Sequence, residues 1–138
     1  MKKDIAFTPV TGNYVTIARR INEINQPEWH VYLINRNDTD ITNVFVTSKG
    51  YSGDDAKKKD EQQRTSTLRH YFAQIAAGQS VIVEPIMPDV FHLNNEYWVS
   101  YFSGNQVFDK KFIFVPESIV ESNLVAIPEL QLEGILHE

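Results

Sequence analysis

Apolar residues recur at every second position through most of the chain, which is the period of a strand with one buried face. Seven segments carry it: 13–20, 28–35, 41–48, 67–74, 80–86, 97–102 and 107–115. In 28–35, Trp29, Val31 and Leu33 alternate with His30, Tyr32 and Ile34. Both of its faces are apolar or aromatic, which predicts a strand inside a sheet. In 67–74, Leu68, His70 and Phe72 oppose Arg69 and Tyr71. In 97–102, Trp98 and Phe102 face one way, and Tyr97, Val99 and Tyr101 the other. Ser103-Gly104-Asn105 joins that segment to 107–115 as the clearest hairpin, with Phe108, Lys110, Phe112 and Phe114 sharing a face. The polar turn 35–40 is short enough to predict that the second and third strands are antiparallel neighbours. Pro85 and Pro88 end the fifth strand and Pro116 the seventh, because proline lacks the ladder donor.

No amphipathic helix of twelve or more residues precedes Pro116. The pattern therefore predicts an all-β fold, a two-layer antiparallel β-sandwich. Its architecture is expected to be immunoglobulin-like, with about seven strands and no disulfide. A partly open barrel is the alternative. The length of 138 residues suits one domain spanning 1–138.

Two stretches break the alternation. Residues 50–66 hold Gly50, Gly53 and Lys57-Lys58-Lys59, with one aromatic residue, Tyr51. So little apolar surface predicts a long, mobile, charged loop. Residues 117–138 read two ways. Ser118 with Glu121 three residues later fits a helix cap, whereas the stretch from Ile127 to Leu136 alternates like a strand. Leu124, Ile127, Leu130, Leu132, Ile135 and Leu136 are too many apolar residues to leave exposed, so the segment is expected to cover a sheet edge.

Charge sharpens that division. The net charge is −5. Residues 1–116 carry thirteen basic and thirteen acidic residues, so the whole excess lies in Glu117, Glu121, Glu129, Glu133 and Glu138. The lysine run is flanked by Asp54, Asp55, Asp60 and Glu61, so no basic stripe exists and nucleic acid is disfavoured. No signal sequence and no run of eighteen apolar residues is present, which predicts a cytoplasmic protein with no membrane partner.

Candidate chemistry is sparse. The absence of cysteine removes disulfides, thiolate metal sites and a cysteine nucleophile. His30, His70, His92 and His137 show no metal-ligand spacing, and no nucleophile elbow or phosphate-binding glycine loop occurs. No catalytic residue, metal or cofactor is expected. One pocket is worth carrying forward: the corner of Asp89, His92 and Glu96, together with Arg69 or His70. Tyr71, Phe72, Tyr97, Trp98, Tyr101 and Phe102 form core, a protein-binding patch or a stacking platform for bases or sugars, and core packing is the simplest reading.

The stretches 44–50, 66–72, 84–98 and 108–116 resemble a family of small uncharacterised bacterial proteins. Some members carry the label "phenylalanyl-tRNA synthetase alpha subunit". A class II synthetase domain is several hundred residues long with an arginine constellation for ATP. The chain has neither, so the resemblance implies no catalytic residue here.

The expected function is therefore non-catalytic and works through a protein partner or self-association as a homodimer. Lys57, Lys58, Lys59 and Arg64 would steer the partner, and Leu124, Leu130 and Leu132 would anchor it. The alternatives are a small-ligand or hydrolytic module at the His92 corner and an accessory RNA-binding protein linked to tRNA metabolism.

Overall fold

The computed structural model describes residues 12–53 and 62–137. They form nine strands: β1 (Asn13–Ile21), β2 (Pro27–Asn35), β3 (Ile41–Tyr51), β4 (Leu68–Ile75), β5 (Ser80–Pro85), β6 (Asn94–Ser103), β7 (Gln106–Phe114), β8 (Val125–Ile127) and β9 (Leu132–His137). One antiparallel sheet runs β5-β2-β1-β9-β8 and the other β4-β3-β6-β7. They stack as a two-layer sandwich. Val15, Ile17, Val31, Leu33 and Ile135 project from the first sheet into a single core. Val44, Val46, Tyr97, Val99 and Phe112 meet them from the second.

The seven alternating segments are all strands, and the C-terminal segment adds two more. Residues 117–124 form no α-helix; Glu121–Asn123 is a single 3-10 turn. β9 inserts between β1 and β8, with Ile17 opposite Ile135 and Arg19 opposite Glu133. Gly134 makes this approach feasible. A Cβ there would stand 2.6 Å from Thr16 Oγ1 and 3.0 Å from the Ile17 carbonyl oxygen. Thr16 Oγ1 instead donates to the Ile135 carbonyl at 2.9 Å.

β2 lies inside its sheet, as its two apolar faces predict, but β3 is not its neighbour. β2 pairs with β1 and β5, whereas β3 pairs with β4 and β6. The 36–40 turn carries the chain from one layer to the other. Asn35 builds this corner by donating from Nδ2 to the Thr39 and Ile75 carbonyls and accepting from the Asn37 amide. Local polarity marks a turn but does not say whether it closes a hairpin or crosses the core.

The two outer faces differ. On the five-stranded sheet, Ala18, Ile34 and Ile127 are buried although they stand outside the intersheet core. Arg36 stacks on the Tyr14 ring at 4.8 Å and forms an ion pair with Glu129. That pairing holds the Glu129 carboxyl below its ordinary range. On the outer face of the four-stranded sheet, Phe45, Tyr71, Trp98 and Phe102 are exposed among the described residues.

The four strand edges differ as well. β8 is only three residues long. β5 is bulged against β2 and ends in Pro85. β7 turns Lys110, opposite the buried Val99, toward the inner side, where its ammonium lies 4.8 Å from the Phe112 ring. Short strands, proline, bulges and inward charges all discourage pairing with another chain. β4 has eight residues and none of these devices apart from His70, which Glu84 engages inside the sandwich. Among the described residues, no helix is long and apolar enough to cross a membrane.

Candidate functional site

Alternation places Phe45 on the outer face of β3, Tyr71 on that of β4, and Trp98 and Phe102 on that of β6. Phe45 is 51% exposed, Tyr71 53%, Trp98 44% and Phe102 39%. The register makes them one patch. Phe45 sits opposite Tyr71 on one side and opposite Ser100 on the other, with Trp98 and Phe102 two residues either side of Ser100. The Phe45 and Tyr71 rings contact at 5.0 Å between centroids. Polar anchors hold the rings. Tyr71 donates to Asn43 Oδ1 at 2.8 Å, and Trp98 Nε1 to Asp109 Oδ1 at 2.6 Å. Lys111 lies over the Trp98 ring at 4.9 Å. Arg69 stands on the same face opposite Thr47 and has no carboxylate partner among the described residues.

The aromatic set considered from sequence thus divides. Tyr97 and Tyr101 are core, Phe72 packs partly against it, and Tyr71, Trp98 and Phe102 are external. Phe45 completes the outer patch. Its alternation with Val44 and Val46 marked it as outward, but a lone aromatic between two valines gave no reason to expect a platform.

A second polar assembly closes the edge where β4 and β5 face each other. Glu84 points inward from β5 and keeps only 12% side-chain exposure. It accepts from Ser48 Oγ at 2.8 Å, His70 Nε2 at 2.7 Å and Tyr97 Oη at 3.2 Å. These partners come from β3, β4 and β6, so one carboxylate ties an edge strand to three strands of the opposite sheet. The arrangement does not assemble a nucleophile. Both hydroxyls donate to the carboxylate and neither to His70, so the serine–histidine pairing of a hydrolase triad is not formed among these residues. Burial and the Glu84 charge and hydrogen bond push the Tyr97 hydroxyl pKa far above its ordinary value. A cleft of about 340 Å³ opens beside the cluster, with Ser66, Asp89 and Asn95 also on its wall.

The residues of the expected corner pocket are spread out. Asp89 lies in the 3-10 turn Pro88–Val90 and lines the cleft beside Glu84. His92 is exposed and its Nε2 meets Gln63 Oε1 at 2.6 Å. Glu96 is buried on the outer side of β6, where Tyr51 donates to it at 3.1 Å and Lys49 approaches to 3.8 Å. Arg69 and His70 take opposite faces of β4. Of these residues only His70 bonds to Glu84, which gathers it with Ser48 and Tyr97 instead.

Of the expected contact residues, Lys57, Lys58 and Lys59 lie outside the described residues. Arg64 is exposed and bridges to Tyr51. Leu124 packs partly against the core, Leu130 is half-buried in the β8–β9 turn, and Leu132 is half-buried in β9. The described residues hold no cluster of three or more potential metal ligands.

Tyr101 supplies a pH signature for the core. Burial raises its hydroxyl pKa to about 12 from an ordinary value of 10.0, although the hydrogen bond from Asn13 opposes the shift. A folded value above the unfolded one stabilises the fold fully below pH 10 and less as pH rises toward 12. Urea midpoints are therefore expected to fall between about pH 10 and 12, and Tyr101→Phe should flatten that fall. An unchanged slope in the variant would remove Tyr101 as its source.

No protein-family model, curated protein or solved structure matches the chain.

Proposed function

We propose that this chain is a non-catalytic β-sandwich that acts by protein contact, and that its contact surface is the outer face of the four-stranded sheet. The observation that carries this reading is the contiguous exposed patch of Phe45, Tyr71, Trp98 and Phe102. Aromatic residues and arginine supply most hot spots in protein interfaces, because they bury much area with few rotors to freeze. Arg69 and the Lys111–Trp98 pair belong to the same face. Charge favours protein over nucleic acid. Lys49, Arg69 and Lys111 are interleaved with Glu96 and Asp109 on that face, so the described residues carry no continuous basic stripe there.

The strand order supports the finer, immunoglobulin-like reading. The first, second and fifth strands share one sheet, and the third, sixth and seventh share the other, with the fourth at its edge.

A photo-crosslinking residue at Ser100, inside the patch, tests the surface against one at Ile82, on the exposed outer face of β5. In native lysate, position 100 is expected to give a discrete protein adduct that Trp98→Ser abolishes, and position 82 to give none. Equal adducts at the two positions, or an adduct destroyed by ribonuclease, would overturn the reading.

A further inference from the structure

Beyond the binding face itself, we infer that a second copy of this chain pairs with the edge of β4, joining two four-stranded sheets into one. Three of the four edges are blunted by shortness, by a bulge with Pro85, or by the inward Lys110. β4 runs for eight residues without proline, and among the described residues its ladder is made with β3, continuous from Leu68 to Phe72 and skipping the Asn43–Ala73 pair. Among the described residues, no backbone group of Leu68–Ala73 bonds outside that ladder. An edge of this length presents a row of free donors and acceptors that templates another strand.

The side chains favour self-pairing in one register. Outward residues are Arg69, Tyr71 and Ala73; inward ones are Leu68, His70 and Phe72. A two-fold axis normal to the sheet keeps each face in register only when it passes through a residue. An axis through Tyr71 uses the strand most fully, setting Tyr71 opposite itself, His70 opposite Phe72, Arg69 opposite Ala73 and Leu68 opposite Gln74. Aromatic residues directly opposite one another stabilise a pair, whereas like charges would oppose it. In this register the two arginines sit about four residues apart along the strand, roughly 13 Å, beyond the Debye length at physiological salt. Leu68 and Tyr71, about half exposed in the single chain, gain partners. Arg69 has no carboxylate partner among the described residues, and its neighbour across the axis is the small Ala73, which leaves room for its guanidinium to stay in solvent.

The pairing places the two aromatic patches side by side, with Tyr71 of each copy at the seam. It stands whatever that face binds.

Sedimentation velocity on the purified full chain tests it, with thermal melts showing that each variant folds. The native chain is expected to dimerise reversibly. Ala73→Glu sets a carboxylate opposite Arg69 twice by symmetry and should tighten the dimer by roughly two- to thirtyfold. Ala73→Lys sets a like charge there and should weaken it by a similar factor. A chain that stays monomeric at millimolar concentration even as Ala73→Glu overturns the proposal. A dimer indifferent to both substitutions does so too.

Discussion

Cutting the chain after Pro116 is expected to unfold the domain. The removed segment supplies β8 and β9, and β9 fills the ladder on one side of β1 from Val15 to Arg19. It also takes away Ile119, Ile127 and Ile135, all buried. Emptying one such site costs about 2–5 kcal/mol. Three together are on the order of 10 kcal/mol, the size of a whole domain's stability. The rings of Phe112 and Phe114 would lose their contacts with His137, 5.4 and 5.5 Å away. Circular dichroism should show lost strand signal, and amide resonances should collapse toward random-coil shifts. A truncated chain that keeps the native melting temperature would refute the pairing of β9 with β1. Loss of binding on truncation would therefore report loss of the fold, so a partner has to be mapped with surface substitutions such as Trp98→Ser.

Replacing Glu84 by alanine is expected to cost about 3 kcal/mol. The carboxylate satisfies three donors, and two of these belong to the buried Ser48 and Tyr97. A buried donor left without a partner costs about 1–3 kcal/mol, and water entering from the neighbouring cleft offsets part of the sum. Glu84→Gln keeps an acceptor oxygen and should fall between the two. The measurement is the urea midpoint at constant slope. Equal midpoints for Glu84→Ala and the native chain would show that the cluster holds nothing together. Because Glu84 sits where β4 and β5 meet, its loss should also speed hydrogen exchange along β5 more than along β7.

Much of the sandwich is legible in the sequence because alternation is a one-dimensional signal. Val44 and Val46 read as inward and Phe45 as outward from spacing alone, and the structure places them so. Lys110 likewise falls on the side of Phe112, at an edge. What spacing cannot carry is the partner of a strand. The 36–40 turn looks like a hairpin loop but crosses between layers, since Asn35 bonds to carbonyls rather than closing a ladder. The segment after Pro116 was ambiguous because it offers a helix cap and a strand period within twenty residues, and only the open side of β1 decides between them.

The exposed aromatic patch is half visible in the sequence. Trp98 and Phe102 share a face in the sequence, but joining them to Phe45 and Tyr71 needs the β3–β4 and β3–β6 registers. Glu84 was less visible still. Its three partners lie 14, 36 and 13 residues away. Nothing local marks it: alternation puts it on the face of exposed Ile82, and only the bulge of β5 against β2 turns it inward.

The β1–β9 pairing also sets the order of events during synthesis. Val15 and its partner His137 are separated by more than a hundred residues, so one side of β1 stays open until nearly all of the described chain has been made. Local pairings such as β1–β2 and β6–β7 can form early, but the five-stranded sheet is completed last and across the longest loop. A nascent chain that has emerged only as far as the end of β7 would display a nearly finished domain with one long, unsatisfied strand side. That is the species on which chaperones, or a second nascent copy, would act.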